Sequence, residues 1–159
     1  MKRVAAALVL CACCAACSSD DDGGADQPAP GTATLSFAVT NGVKVNPNLV
    51  DPLKGDIYGA LYLAADVTLV GPKEGAADKG SVELTNVDLT SAAQSAETWK
   101  SAPLPPAEYM FLGFMDLDGN GATTREPEAG DPVTLPINKF TIEAGKNVDV
   151  AVQFDLVLD

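Results

Sequence analysis

The sequence reads YMFLGFM over residues 109–115 and continues as DLDGNGATTREPEAGDP over residues 116–132. The first segment has apolar side chains at both parities of a strand, so we expect a strand that is covered on both faces and lies centrally in the fold. The second segment is rich in side-chain oxygens and is broken by glycine and proline. This density of oxygen donors predicts a site for a hard cation, formed by Asp116, Asp118, Asn120, Glu128 and Asp131.

The start of this loop matches a calcium-binding pattern. Asp116, Asp118 and Asn120 occupy positions 1, 3 and 5 of the pattern D-x-[DN]-x-[DN]-G, and Gly121 occupies the sixth position. These six residues resemble an EF-hand-type calcium loop. The resemblance implies Ca²⁺ held by the three side chains and by the backbone carbonyl of Ala122.

The second half of the loop departs from the EF-hand pattern. Position 12 requires a bidentate Glu, but Pro127 stands there, and a strand precedes the loop where an EF-hand has a helix. We therefore expect Glu128 and Asp131 to supply the closing ligands, because Gly130 lets the backbone turn back toward Asp116. The expected role of the calcium ion is structural.

A plain turn is the alternative interpretation of the same residues. The stretch DGNG over residues 118–121 joins two of the dipeptides that most favour β-hairpin turns, and Asp and Asn tolerate a left-handed backbone without any ion. A plain turn does not explain the further acids at Glu126, Glu128 and Asp131, which would repel one another without a cation. The sequence leaves both alternatives open.

Charge and missing residue types narrow the range of functions. The 159 residues include 22 acidic and 10 basic side chains, for a net charge of −12, and no histidine. Such a chain repels phosphate backbones, so we expect no nucleic-acid binding, whereas cations and basic partners fit it better. The lack of histidine excludes Ser-His-Asp and Cys-His catalysis and the usual zinc ligand sets.

The N-terminus has the features of a bacterial lipoprotein signal. MKR is followed by an apolar run over residues 4–16, too short to span a bilayer, and the run leads into CAAC over residues 14–17. These residues resemble a lipobox, which implies removal of residues 1–16 and a lipid on Cys17. Cys14 stands where an aliphatic residue is usual, and Cys13 is an alternative lipidation site that would leave a shorter signal.

The lipobox resemblance implies an outer-membrane lipoprotein of the bacterial cell envelope that faces the periplasm or the cell surface. Residues 17–31 are acidic and then rich in proline and glycine, which is typical of a flexible tether. We therefore expect a signal peptide at 1–16, a tether at 17–31 and a folded domain at 32–159. The four cysteines all lie at or before residue 17, so no disulfide stabilises that domain.

Alternating apolar residues mark further strands in the domain. The alternation is clear at 35–39 and unbroken over 148–158, and it slips by one residue within 81–90, which predicts a β-bulge at Thr85 and Asn86. We also expect a hairpin turn at 143–147 and one helical turn at 91–97. Together these segments predict an all-β fold, an antiparallel β-sandwich of about seven or eight strands.

This pattern resembles immunoglobulin-like or transthyretin-like sandwiches, and residues 109–132 resemble the calcium-loop hairpins of such modules in bacterial extracytoplasmic proteins. We expect a non-enzymatic, lipid-anchored binding or structural module with an unknown protein or glycan partner. The alternatives are a carboxylate-based hydrolase such as a glycosidase, and a purely structural envelope module without metal. Two facing carboxylates in a concave site would favour the hydrolase, whereas an exposed apolar patch on a sheet would favour the binding module.

Overall fold

The computed structural model describes residues 27–49 and 52–159, and nearly all of its regular structure is β-strand. The strands are, in chain order, β1 (Thr32–Val39), β2 (Lys54–Leu63), β3 (Val67–Thr68), β4 (Gly71–Pro72), β5 (Gly80–Asp88), β6 (Trp99–Lys100), β7 (Ala107–Asp116), β8 (Pro132–Val133), β9 (Lys139–Ile142), β10 (Asn147–Phe154) and β11 (Leu156–Val157). The structure has more strands than the seven or eight that the sequence predicts, because five of the eleven are only two residues long. Cys13, Cys17 and the predicted signal peptide lie outside the described residues.

Helical structure is limited to single turns in the part of the chain that the structure describes. The helices are α1 (Asn41–Lys44) and α2 (Gly121–Thr124), and a 3-10 turn (Ala64–Asp66) follows β2. No helix among these residues reaches the length and hydropathy that a membrane crossing requires.

Most of the strands form two sheets that share one core. β10, β1 and β6 form a three-stranded sheet, whereas β11, β8, β7, β2 and β5 form a larger sheet in which β9 also pairs with β7. Side chains of both sheets meet in the core, where the ring of Phe37 on β1 lies 5.5 Å from the ring of Phe111 on β7. β3 and β4 form a separate hairpin. The prediction of an all-β, sandwich-like fold is confirmed.

One strand pair departs from the antiparallel arrangement that the sequence predicts. β1 and β10 run parallel along their whole length, with Leu35 opposite Val150 and Phe37 opposite Val152, while the other described pairs are antiparallel. β1 opens the domain and β10 stands near its end. Strands joined directly by a tight turn must be antiparallel, whereas parallel strands need a long connection. The long chain between β1 and β10 supplies that connection.

The long apolar alternation of residues 148–158 belongs to two strands and not to one. β10 ends at Phe154, and after Asp155 the chain pairs with β8 in the other sheet as β11. The parity reverses at this crossing, because Val157 is 1% exposed whereas Leu156 is 44% exposed. The prediction of a single strand here is wrong.

The turn at 143–147 also joins the two sheets. Lys146 N–H donates to the carbonyl of Glu143, and Gly145 has a φ of +67°, so the turn itself exists. It leads from β9 in the larger sheet to β10 in the smaller one. It is therefore a crossover between sheets, and the prediction of a hairpin is wrong.

Residues 91–97 form no helix, in contrast to the prediction. Instead, Ser95 lies beside β1, where its Oγ accepts from Phe37 N–H at 3.0 Å and donates to the Glu97 carbonyl at 2.6 Å. Ser101 Oγ accepts from Ala33 N–H in the same way at 2.9 Å. Because β6 is only two residues long, these buried hydroxyls satisfy the N–H groups of β1 that no strand pairs.

The predicted bulge at Thr85 and Asn86 is confirmed. The pairing of β5 with β2 skips from Val87 opposite Gly55 to Leu84 opposite Ile57, so two residues of β5 face one residue of β2. Asn86 has a φ of +57°, and its N–H donates to Asp56 Oδ1 at 2.8 Å. Asn tolerates this left-handed conformation better than most residues.

β7 lies at the centre of the larger sheet, as the sequence predicts. It pairs with β2 on one side and with β8 and β9 on the other. Phe111 and Met115 face the core between the sheets, while Met110 and Phe114 are buried on the opposite, outer face of the sheet. The strand ends at Asp116, so the loop that follows starts from a strand that is paired on both sides.

Candidate cation-binding loop and the groove beside it

The loop that follows β7 leaves the sheet and returns to it at the same place. It starts after Asp116 and ends at β8, where Val133 pairs with Phe114. Asp131 closes the loop, because its Oδ1 accepts from Leu117 N–H at 3.3 Å. Gly130 has a φ of +100°, which permits the predicted return of the backbone toward Asp116.

Asp116 anchors the first half of the loop. Its side chain accepts two backbone hydrogen bonds, from Gly119 N–H to Oδ1 at 2.9 Å and from Gly121 N–H to Oδ2 at 3.0 Å. The residue is only 1% exposed. Backbone N–H groups thus stabilise this buried carboxylate and hold the loop in a tight curl.

Asn120 connects the two halves of the loop. Its Nδ2 donates to Asp118 Oδ2 at 2.8 Å and to Glu128 Oε2 at 3.1 Å, so these two carboxylates converge on one amide group. Asn120 Oδ1 is a buried atom with no hydrogen-bond partner. Ala122 lies in α2 and takes no part in this network.

The pKa of the Asp131 carboxyl is raised above its ordinary value, mainly because the residue is buried. The N–H groups of Glu128 and Leu117 act in the opposite direction. The charges of Asp116 and Asp118 raise this pKa further. The effect of Asp116 and Asp118 is the mutual repulsion that the sequence predicts for these acids in the absence of a cation.

The donor atoms of these side chains are of the kind that a hard cation prefers. All of them offer oxygen, and Asn120 Oδ1 is an oxygen that no protein group uses. Among the described residues, no three acidic side chains are grouped so that they could hold a metal ion by themselves. A cation here would therefore need the Asn120 amide oxygen, and backbone or water oxygens, in addition to carboxylates.

The loop also packs on the outer face of the larger sheet. Gly121 lies so close to it that an added Cβ would stand 2.9 Å from Phe114 Cε2. The Arg125 guanidinium lies 4.4 Å from the centre of the Tyr58 ring, and its Nη1 lies 3.0 Å from Glu83 Oε2 on β5. Arg125 was not predicted as a functional residue, although it is one of only two arginines in the chain.

Tyr58 on β2 contacts both the loop and the neighbouring strand β7. Its ring lies 5.7 Å from that of Phe114, and its hydroxyl donates to Asp56 Oδ2 at 3.3 Å. Burial, followed by the nearby charge of Asp56, raises the pKa of the Tyr58 hydroxyl. The loop thus covers an aromatic pair that would otherwise be exposed on the outer face.

A groove of about 940 Å³ remains open on this outer face beside the loop. Arg125 and Pro127 line one end, and the tip of the β3–β4 hairpin, Leu69 and Val70, lines the other. A smaller cavity of about 180 Å³ lies between β9 and β10. Neither the groove nor the position of Arg125 was predicted from the sequence, because both depend on how the loop packs on the sheet.

Comparisons with protein-family models, with curated proteins and with solved structures found no match for this chain. The function is therefore inferred from the residues and their geometry alone.

Proposed function

We propose that this protein is a non-enzymatic module of a bacterial cell envelope, anchored by a lipid on Cys17, that binds a partner and carries a structural calcium ion in the loop after β7. The observation that supports the calcium site is the gathering of Asp118 and Glu128 at the Asn120 amide, because a half-turn of this amide would bring its unpartnered Oδ1 to the two carboxylates in place of the N–H donor. The anchor rests on the lipobox-like residues 14–17.

In this proposal Asp118, Asn120 and Glu128 hold the ion through their side chains. Asp116 and Asp131 complete the acidic surroundings, and the backbone carbonyl of Ala122 is the further ligand that the EF-hand resemblance implies. The ion supplies positive charge where carboxylates gather, which offsets their repulsion. Its effect is to stabilise a long loop in a domain without disulfides.

Calorimetric titration of the purified protein with Ca²⁺ tests the calcium site. We expect the unmutated protein to release or absorb heat on binding and the Asp118→Ala variant to lose this signal. Asp149→Ala is the matched control, because Asp149 is an exposed acid on β10 in the other sheet. The same heat in all three proteins, or no heat in the unmutated one, would contradict the proposal.

Detergent partitioning tests the lipid anchor. When the full-length chain is produced in a Gram-negative host, we expect it to enter the detergent phase of a Triton X-114 extract. Cys17→Ser should move the protein to the aqueous phase, whereas Cys13→Ser should not. Loss of partitioning in Cys13→Ser alone would assign the lipid to Cys13 instead.

The groove gives the hydrolase alternative no support. A glycosidase of the usual kind needs two carboxylates that flank the substrate. Among the residues that line the groove, only Glu83 is acidic, and it forms an ion pair with Arg125. A mainly apolar groove on a sheet face is instead typical of a surface that binds another molecule.

A further inference from the structure

The groove on the outer face is polarised along its length. Its floor is formed by Ala60 and Tyr62 on β2 and by Leu112 on β7, and Val133 and Leu156 line one side. At one end, Leu69 and Val70 form the tip of the β3–β4 hairpin and are 84% and 97% exposed. Exposure of aliphatic side chains to water is unfavourable. Hairpin tips therefore usually carry polar residues or glycine.

The other end of the groove is acidic. Glu83 lines it directly, and the exposed Glu126 and Glu128 stand on either side of Pro127, which also lines it. Leu158 lines the same end, whereas the carboxylate of the following Asp159 accepts from Asn48 Nδ2, and Asn48 does not line the groove. Leu158 lies beside the loop, since its N–H donates to the Asp131 carbonyl at 3.1 Å.

Arg125 does not neutralise this acidic end. It is the basic residue among those lining the groove, and its guanidinium is already engaged by Glu83 at 3.0 Å and by the Tyr58 ring. Three carboxylates, those of Glu83, Glu126 and Glu128, therefore lie around an end whose single cation, Arg125, is already paired. The charge of this end is complementary to lysine or arginine side chains.

We propose that the groove binds a segment of a partner protein that carries aliphatic side chains followed or preceded by lysine or arginine. The aliphatic side chains lie on the floor between β2 and β7 and against the Leu69–Val70 tip, and the basic side chains lie at the acidic end. The proposal rests on the proposed function as a binding module and names its partner's chemistry. It does not require the calcium ion, which would instead neutralise Glu128 at the acidic end.

The same charges argue against other occupants. A fatty-acid carboxylate or a lipid phosphate would meet the acidic end and be repelled. A second copy of this chain, with its net charge of −12, would bring acidic surface against acidic surface. A basic segment is the occupant that satisfies both ends of the groove.

Fluorescence anisotropy with two labelled peptides tests the proposal. The peptides are KKLTLTL and EELTLTL, which share the aliphatic pattern and differ in the sign of the terminal charges. At low salt we expect KKLTLTL to bind the purified protein roughly tenfold more tightly, because surface charge pairs each contribute modestly and are screened by salt. Equal binding of the two peptides, or no binding of either, would overturn the proposal.

Variants locate the binding surface. Val70→Ser should weaken KKLTLTL binding several-fold without affecting folding, because Val70 is almost fully exposed. The pair Glu126→Gln and Glu128→Gln, measured in EGTA, should weaken it further. The matched pair Glu143→Gln and Asp149→Asn removes the same charge at the β9–β10 turn and on β10, away from the groove, and should change nothing. An equal loss in both pairs would mean that binding follows net charge alone, and would overturn the assignment to the groove.

Two further measurements distinguish peptide binding in the groove from self-association and from an effect of calcium. Sedimentation of the unmutated protein should show a monomer, and a dimer that dissociates in Val70→Ser would mean that the groove is a self-interface. The titrations are run in EGTA, because Ca²⁺ held by Glu128 would remove one charge of the acidic end and should weaken KKLTLTL binding. Failure of the calcium site would thus leave the peptide result intact, and failure of peptide binding would leave the calcium result intact.

Discussion

Replacement of Asp116 by alanine removes one side chain that holds two backbone groups of the loop. Gly119 N–H and Gly121 N–H both donate to this carboxylate, at 2.9 and 3.0 Å. Gly121 is buried against the sheet, so its N–H finds no water in exchange. Gly119 is exposed, and its N–H is hydrated after the substitution.

The expected loss of stability follows from these two bonds. A buried donor left without a partner costs about 1–3 kcal/mol, and a hydrogen bond to a charged group contributes about 1.5–3 kcal/mol. Removal of a buried carboxylate relieves part of this cost, because its desolvation is also lost. We therefore expect Asp116→Ala to lower the free energy of unfolding by about 2–4 kcal/mol in EGTA.

Urea unfolding followed by the fluorescence of Trp99 measures this loss. Asp118→Ala is the control, because Asp118 bonds only to the neighbouring Asn120 in the exposed part of the loop. We expect Asp118→Ala to cost less than about 1 kcal/mol in EGTA. A loss below about 1 kcal/mol for Asp116→Ala would refute the inference that this carboxylate anchors the loop.

The same two variants separate anchoring from calcium binding. A calcium dissociation constant of about 10⁻⁴–10⁻³ M implies that about 1 mM Ca²⁺ adds ~0.5–1.5 kcal/mol to the unmutated protein. We expect both variants to lose this increment, although only Asp116→Ala is strongly destabilised in EGTA. Identical melting curves of the unmutated protein in Ca²⁺ and in EGTA would refute the calcium site while leaving the anchoring role untouched.

Three further predictions concern the sheet. Gly113→Ala should destabilise the protein by about 1–3 kcal/mol in thermal melts, because an added Cβ would collide with the Tyr58 carbonyl and the Phe111 ring. Ser95→Ala should cost about 1–3 kcal/mol, since it leaves a buried backbone N–H of β1 without a partner, whereas the exposed Ser91→Ala should cost little. Burial raises the pKa of both Tyr58 and Tyr109 above their ordinary 10.0, so the folded state holds these protons more tightly and the free energy of unfolding should fall as the pH rises above that value. Absorbance titration at 295 nm should show a smaller late-ionising signal in Tyr58→Phe, and an unchanged titration would contradict this assignment.

Local patterns of the sequence were sufficient for several structural features. The central position of β7 follows from apolar residues on both parities, and the bulge at Thr85 and Asn86 follows from a slip of parity within one strand. The return of the backbone toward Asp116 follows from Gly130, whereas the roles of Glu128 and Asp131 as calcium ligands stay predictions. Each of these depends on residues close together in the chain.

Features that depend on distant residues were wrong or missed. Nothing near β10 in the sequence distinguishes a strand that continues to residue 158 from one that crosses to the other sheet after Phe154. The parallel pairing of β1 with β10 joins residues more than a hundred positions apart, such as Thr32 and Asn147. Local propensity predicted a helical turn that includes Ser95. The hydrogen bond from Phe37 N–H, which instead holds Ser95 beside β1, joins distant residues and cannot be inferred from local propensity.

The sequence by itself is sufficient for an all-β domain with no histidine or cysteine after residue 17 and with an oxygen-rich loop after its central strand, and it predicts a lipobox-like signal before that domain. Periodicity and composition encode these properties, because they depend on the side chains of neighbouring residues. Only the folded chain brings Arg125 over Tyr58, aligns Asp118 and Glu128 on Asn120, and leaves a groove with one apolar and one acidic end. Those arrangements arise from the packing of the loop on the outer face of the sheet, and packing depends on contacts between segments that the sequence keeps far apart.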